Sequence, residues 1–262
     1  MLKDESVSVC LTVHNKQDVI GFVASSIVSC VSENVKEIIC VLDGCTDNSE
    51  AIVKETFGNQ DIPVKYIYTP DVWEVLANNE SFKTASCPYI LTLQDDMVLQ
   101  EPDYDLKMLR PFRKVDSLLG ITNRNAQDEY IQDGKLLYRN VAGSDVNSAR
   151  DVLYVRDIIV RGPVMFDHAK LAAMNYLNEE FAPIYADDYD LCFRAWQEER
   201  WVVGAYMLDY MSPEHWGSTR QFTPEKHAFW WASAMKNEKM VMERFAHIMG
   251  GHHSADIYIG ED

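Results

Sequence analysis

The sequence predicts an α/β fold, with a doubly wound, mostly parallel central sheet and flanking helices. Over roughly the first hundred residues, short apolar runs alternate with segments of helical periodicity, a rhythm typical of parallel strands joined by right-handed crossovers. Three of the four strands predicted there end in polar residues, at the edge where such sheets bind ligands. The 262 residues are 47% hydrophobic and 25% charged, which indicates a globular chain with a sizeable core.

The elements of this first part are predicted from two kinds of pattern. Residues 18–30 place Val19, Val23 and Ile27 at helical spacing, which predicts an amphipathic helix. Residues 37–42 form a continuous apolar run, as expected of a strand covered on both faces. In chain order we expect a strand over Val7–Val13, a helix over 18–30, a strand over 37–42, a helix from about Ser49, a strand over 64–68, a helix around 81–85 and a strand over 89–93.

The later part of the chain has a weaker pattern. Residues 102–149 are polar, and we expect them to be irregular and to wrap over the sheet. Strand-like structure resumes over 152–166, and we expect one compact domain because there is no repeat or linker. The remaining predicted elements are a helix over 186–201, a strand over 202–206, a helix over 226–249 and a short tail.

Composition excludes several classes of protein. The 41 acidic against 24 basic residues leave a formal charge of −17, which argues against nucleic acid as a partner. The N-terminus lacks the features of a signal peptide, and no apolar run reaches the ~18 residues of a membrane span, which leaves at most peripheral membrane contact. Six cysteines without CxxC pairs suggest reduced thiols, so we expect a cytoplasmic protein.

The polar residues at the strand ends are the first candidates for a functional site. His14 and Asn15 follow the first strand, and a carboxylate such as Asp43 at the end of the second can bind a base or a ribose. Asp95 and Asp96 follow the fourth strand, and a divalent cation prefers such oxygen ligands, although adjacent acids are also common in turns. The glycine-rich loops of NAD-binding and P-loop proteins are absent.

A second group of candidates lies late in the chain. Asp187 and Asp188 open the helix predicted over 186–201, where acids either cap the helix or perform chemistry. His215 is a potential metal ligand, and its loop also offers Arg220 to a phosphate. Four tryptophans could stack on sugar faces or belong to the core: Trp73, Trp216, Trp230 and Trp231.

The order of these motifs resembles that of family 2 glycosyltransferases. The segment LDGCTD, which contains Asp43, is similar to the family's Asp-Gly-Ser-Thr-Asp block, and LQDDM resembles its DxD-type metal motif, with Gln94 where an Asp often stands. RGPVMF and the later ADDYDLCFRAW resemble the family's late acidic block. The resemblance covers about residues 5–220 and implies the GT-A fold, a Rossmann-like sheet.

The resemblance also implies a division of the chain. Residues 1–220 would form the GT-A domain, with a nucleotide-binding half over about 5–100 and an acceptor and catalytic half over about 101–220. Residues 221–262 would be a helical extension packed on the same domain.

The implied activity is transfer of a sugar from a nucleoside-diphosphate sugar to a carbohydrate or other hydroxyl acceptor, with inversion. Asp188 would be the general base, and Asp187 would raise its pKa by repulsion. Mn²⁺ or Mg²⁺ would be held by Asp96, Asp95 and His215. The nucleotide sugar would be bound by Thr12, Val13, His14, Asn15, Asp43, Asn79, Asp95 and Arg220.

Two other functions remain open on the sequence. A non-catalytic sugar- or nucleotide-binding protein could keep the fold, but it would be expected to lose the late acids, and Asp187 and Asp188 are present. A sugar nucleotidyltransferase would carry a glycine-rich, basic phosphate loop after the first strand, where this chain has Thr12-Val13-His14-Asn15.

Overall fold

The computed structural model describes residues 4–217 and 223–260. Its first part alternates strands and helices as the sequence predicts. The one large difference is the third helix, which begins at Trp73 rather than near residue 81. The elements are β1 (Val7–Val13), α1 (Ile20–Cys30), β2 (Val35–Asp43), α2 (Ser49–Phe57), β3 (Val64–Thr69), α3 (Trp73–Thr84) and β4 (Tyr89–Gln94).

The second part is more regular than predicted. Residues 102–149, expected to be irregular, contain one α-helix, three strands and a one-turn helix, Ser144–Val146. That expectation is wrong because β7 buries polar side chains and therefore lacks an apolar alternation. The elements are β5 (Val98–Leu99), α4 (Tyr104–Lys114), β6 (Leu118–Thr122), β7 (Asn125–Gln132), β8 (Lys135–Gly143), β9 (Val152–Arg156), β10 (Ile158–Val160), β11 (Val164–Asp167), α5 (His168–Ala173), α6 (Asp187–Glu199), β12 (Val202–Ala205), β13 (Tyr210–Met211), α7 (Pro224–Phe245) and β14 (Ala255–Tyr258).

A nine-stranded sheet organises the fold, in the order β14-β9-β12-β6-β11-β4-β1-β2-β3. Seven of these strands point the same way, and β9 and β11 run antiparallel to their neighbours. The predicted mostly parallel sheet is therefore confirmed. Two small antiparallel sheets flank it, β10-β7-β8 and β13-β5.

Hydrophobic side chains fill both faces of the sheet. Alternate residues of β1 point to opposite sides, so Val9 and Leu11 pack in one cluster with Val23 of α1. Cys10 faces the other side, in a cluster that includes Phe82 of α3. Because helices cover both faces, the carboxyl ends of β1, β2 and β4 form the accessible edge where ligands bind in such sheets.

The C-terminal segment packs on the same body. Helix α7 lies against α6, where the rings of Phe245 and Phe193 stack with centroids 5.4 Å apart. The segment expected to be a short tail forms β14, which pairs with β9 and extends the main sheet. Among the described helices, none combines the length and the apolar character needed to cross a bilayer. The division into domains at residue 220 stays a prediction.

Candidate active site

Three strand ends converge at the carboxyl edge of the sheet. The backbone N–H of His14, after β1, donates to Oδ2 of Asp95, after β4, at 2.8 Å. His14 Nδ1 lies 2.6 Å from the carbonyl oxygen of Asp43 at the end of β2, so this ring nitrogen donates to it. The convergence of His14, Asp43 and Asp95 expected from the sequence is present.

The side chain of Asp43 is engaged within the protein. Its carboxylate is buried and accepts hydrogen bonds from the Thr69 hydroxyl at 2.7 Å and from the backbone N–H groups of Val72 (2.7 Å) and Trp73 (2.9 Å). Gly44 follows with φ +59°, and a Cβ there would lie 2.6 Å from Cβ of Asp71. The Asp-Gly pair therefore fixes the loop that leads into α3.

The other predicted nucleotide-binding residues of β1 shape the same edge. The hydroxyl of Thr12 donates to Oδ1 of Asn78 at 2.9 Å, and the Val13 side chain is buried in the core. Asn15 adopts a left-handed backbone conformation (φ 49°), and its Oδ1 accepts from the backbone N–H of Thr46 at 2.8 Å. Asn15 therefore joins the turns that follow β1 and β2, whereas Thr12 joins β1 to α3.

Asn79 has a different environment from the one predicted. Its side chain is buried, where Nδ2 donates to the Leu177 carbonyl at 2.9 Å and Oδ1 accepts from the Leu177 N–H at 3.0 Å. Asn79 thus fixes the loop before α6. The neighbouring Asn78 is the residue of α3 that accepts the hydrogen bond of Thr12 in β1. Arg220, the last predicted nucleotide-binding residue, lies outside the described residues.

The two acids of the predicted metal motif differ in environment. Asp95 accepts from the His14 N–H, and its Oδ1 lies 3.8 Å from Nζ of Lys16. Burial raises the pKa of Asp95 to about 7, although Lys16 and the His14 N–H act against it. Asp96 instead lines a cavity of about 380 Å³. Other polar residues around this cavity are Gln94, Arg124, Ser144, Asp145, Arg161, Asp209, Tyr210 and Ser212.

The predicted metal ligands do not form one tight group. His215 is exposed on a one-turn helix, Glu214–Trp216. Among the residues that the structure describes, the one set of His, Cys, Asp or Glu ligand atoms all within 4.8 Å of one another belongs to His14, Asp43 and Asp71. His14 Nδ1 and the Asp43 carboxylate already form hydrogen bonds within the protein, so most of these ligand atoms have protein partners. Coordination by Asp95, Asp96 and His215 stays a prediction.

The predicted catalytic acids lie in the first turn of α6. Asp187 is buried and forms an ion pair with Nη2 of Arg161. Asp188 is partly buried, and burial is the main cause that raises its pKa. Arg161 lowers that pKa and Glu74 raises it, so the repelling carboxylate is Glu74, whereas Asp187 is neutralised by Arg161. In the same turn, Asp190 pairs with Arg194 four positions later, at 2.6 Å.

A second cavity, of about 220 Å³, opens beside Asp188. It shares Gln94, Arg124 and Arg161 with the cavity beside Asp96, so these three residues form a common wall. The other residues around this second cavity are Glu74, Val160, Ile184, Tyr185, Ala186, Asp187, Asp188, Tyr189 and Trp230.

The sequence did not single out Lys16, Glu74, Arg124 or Arg161 as site residues. Lys16, Glu74 and Arg124 are isolated charged residues outside those motifs, and Glu74 and Arg161 are 87 positions apart, so their ion pair gives no local signal. The one clue in the sequence was that Arg161 begins RGPVMF, a segment that resembles a motif of family 2 glycosyltransferases.

Known proteins show similarity in sequence and in fold. The chain is 30% identical over 119 residues to poly-β-1,6-N-acetyl-D-glucosamine synthase of Staphylococcus epidermidis, a match that covers 45% of this chain and 28% of the relative. Glucosyl-3-phosphoglycerate synthase of Mycobacterium tuberculosis, solved with Mg²⁺ and UDP, has a TM-score of 0.59 at 14% identity, covering 92% and 79% of the two chains. TarS residues 1–349 of S. aureus with UDP give 0.55 at 18%, covering 80% and 61%.

The two structural matches extend over most of this chain and establish the GT-A fold. Their sequence identity is low, so they are evidence of the fold alone. The chain spans less than a third of the synthase from S. epidermidis and under two thirds of the TarS fragment. The sequence model of Glycosyl transferase family 2 matches residues 8–149, which is more than half of the chain. The chain therefore belongs to glycosyl transferase family 2.

Proposed function

We propose that the chain transfers a sugar from a nucleoside-diphosphate sugar to an acceptor hydroxyl, with inversion at the anomeric carbon. One observation carries the proposal: the cavity beside Asp96 and the cavity beside Asp188 share the wall of Gln94, Arg124 and Arg161. A donor in the first, the donor-side cavity, and an acceptor in the second, the acceptor-side cavity, would meet at that wall. Family membership supports the reaction type.

The donor would bind along the carboxyl edge of the sheet. The nucleoside would lie near His14, Asn15 and the loop that Asp43 holds, with the diphosphate towards Asp96. This orientation follows the general rule for ligands of parallel sheets. UDP accompanies the similar folds of TarS and the mycobacterial synthase, which supports a nucleoside diphosphate as the class of donor.

The residues around Asp96 fit a hard divalent cation. Asp96, Asp145 and Asp209 supply carboxylate oxygens to one cavity, and such oxygens are the ligands that Mg²⁺ and Mn²⁺ prefer. We propose that Asp96 is the principal ligand and that Asp95 and His215 complete the protein's share of the coordination. When bound, the cation would stabilise the negative charge of the diphosphate leaving group.

Asp188 would act as the general base. The acceptor oxygen forms a bond to the anomeric carbon while its proton passes to Asp188, and the bond from that carbon to the diphosphate breaks with its electron pair. A pKa raised by burial makes Asp188 a stronger base than a solvated aspartate. Inversion follows because attack and departure occur in one displacement.

The acceptor-side cavity supports a sugar as acceptor. Trp230, Tyr185 and Tyr189 line it, and aromatic rings offer an apolar surface for the face of a pyranose. The rings of Trp230 and Tyr185 meet edge to face with centroids 5.7 Å apart, which fixes their orientation.

The test is a panel of UDP- and other nucleoside-diphosphate sugars with Mn²⁺ or Mg²⁺ and a set of sugar acceptors. We expect release of the nucleoside diphosphate together with a glycosylated product whose anomeric configuration, measured by proton NMR, is opposite to that of the donor. EDTA and Asp96→Asn should each lower turnover at least tenfold, whereas Asp103→Asn at an exposed position should not.

Three results would contradict parts of this proposal. Nucleotide binding without release on the whole panel would favour the non-catalytic alternative. Equal turnover with and without EDTA would exclude the metal requirement. A product with the donor's anomeric configuration would overturn inversion.

A further inference from the structure

A partly buried ionic network in the walls of the two cavities joins three distant segments. Arg161, between β10 and β11, pairs through Nη1 with Oε1 of Glu74 in the first turn of α3. Its Nη2 pairs with Oδ2 of Asp187, the first residue of α6. Gln94, at the end of β4, also donates to Oε1 of Glu74. The side chain of Asp187 is 1% exposed, that of Arg161 18% and that of Glu74 20%.

This network lies directly beside Asp188. Arg161 and Asp188 are both in the lining of the acceptor-side cavity and of a smaller apolar pocket next to it. A guanidinium group has a planar fork that can bind two carboxylates, and here Glu74 and Asp187 occupy that fork. Asp188 is therefore close to a cation that is already neutralised by other partners.

We propose that Glu74 is a positioning residue for Asp188 and acts through Arg161. The proposal rests on the proposed function, in which Asp188 accepts the acceptor's proton. Glu74 holds one arm of the guanidinium and keeps it directed away from Asp188. Without Glu74, that arm is free to turn to the nearest carboxylate, and an Asp188 that is paired with Arg161 is a poor proton acceptor.

The electrostatic surroundings of Asp188 agree with this role. Burial is the main cause that raises the pKa of Asp188. The positive charge of Arg161 lowers this pKa, and the negative charge of Glu74 raises it. Removing the charge of Glu74 would therefore lower the pKa of Asp188 through two effects that have the same sign. The titratable or charged groups that face Asp188 come from several elements: Glu74 of α3, Glu129 of β7, Arg161, and Tyr185, Tyr189 and Cys192 in or before α6.

The experiment compares Glu74→Gln, Glu74→Asp and a control, Glu80→Gln, at an exposed position of the same helix. The readout is the pH profile of kcat/KM. In Glu74→Gln we expect the acidic limb to move at least one pH unit lower and the plateau to fall about tenfold, because a weaker base accepts the proton less readily. In Glu74→Asp, the acidic limb and the plateau should both return most of the way to their wild-type values. Glu80→Gln should match the wild type.

A second readout does not depend on activity. Carboxyl ¹³C NMR of protein labelled at aspartate, with the Asp188 signal assigned by its loss in Asp188→Asn, reports the pH at which Asp188 titrates. We expect titration at lower pH in Glu74→Gln than in wild type.

The two readouts separate the failure of the proposal from the failure of the function. An active wild type whose pH profile and Asp188 titration are unchanged by Glu74→Gln would overturn the positioning role alone. A wild type without transferase activity, together with a shifted Asp188 titration, would overturn the proposed function and leave the electrostatic link established. An unchanged Asp188 titration in an inactive protein would overturn both.

Discussion

Replacing Asp43 by Asn tests whether this carboxylate serves primarily to build the site. The side chain accepts three hydrogen bonds, two on Oδ1 from Thr69 and Val72 and one on Oδ2 from Trp73. An asparagine keeps one acceptor oxygen for the first two bonds. Its amide group must then face the N–H of Trp73, so two donors oppose each other.

The size of the effect follows from these bonds. A hydrogen bond to a charged group contributes about 1.5–3 kcal/mol, and a buried donor left without an acceptor costs about 1–3 kcal/mol. Asp43 is 2% exposed, so water cannot replace the lost acceptor. We expect Asp43→Asn to lower the free energy of unfolding by about 2–4 kcal/mol.

Urea unfolding, monitored by circular dichroism, measures this loss. Asp71→Asn is the matched control, because the Asp71 side chain is 56% exposed and its change should cost less than about 0.5 kcal/mol. A loss below about 1 kcal/mol for Asp43→Asn, similar to that of the control, would refute the assignment of Asp43 to the loop. Its carboxylate would then be available for a ligand.

Two further predictions concern stability. Burial raises the pKa of Glu129 to about 8, so the folded state keeps a proton that the unfolded state loses near pH 4.5. The free energy of unfolding should therefore fall by up to about 1.4 kcal/mol per pH unit as the pH rises from about 5 to 8. Glu129→Gln should flatten this decline in urea unfolding at several pH values, and an unchanged slope would contradict it. Asn237 of α7 is buried and donates to the carbonyls of Phe181, Ile184 and Tyr185. Asn237→Leu should cost about 2–3 kcal/mol in the same assay, and a loss under about 1 kcal/mol would argue against that anchor.

The strands of the first part could be predicted from sequence because most of their buried side chains are apolar. Val7–Val13 was predicted with the bounds that the structure has, and 37–42 lies within β2. Helix α3 was recognised only at its end, because its buried face includes the polar Asn78, Asn79 and Ser81, which hide the helical period. Each of these side chains is satisfied by a specific partner, which sequence patterns cannot reveal.

The candidate site was predicted in outline for a related reason. The ends of parallel strands placed Asp43 and Asp96 at one edge of the sheet, because such strands share that edge. The resemblance to family 2 glycosyltransferases added Asp188, at the start of a predicted helix. The structure adds what depends on long-range packing: Glu74 and Arg161 come from different segments, and Asp43 and Asn79 have internal partners. Side-chain contacts over such separations follow from the packed fold rather than from local sequence.

The most direct test of the central claim is the turnover of Asp188→Asn with an active nucleotide sugar and acceptor. Glu198→Gln, at an exposed position of the same helix, is the control. If Asp188 is the general base, turnover should fall by about 10²–10⁴-fold in Asp188→Asn, with donor binding measured by calorimetry unchanged, because general base catalysis contributes that factor. Equal turnover of Asp188→Asn and the wild type would contradict the account.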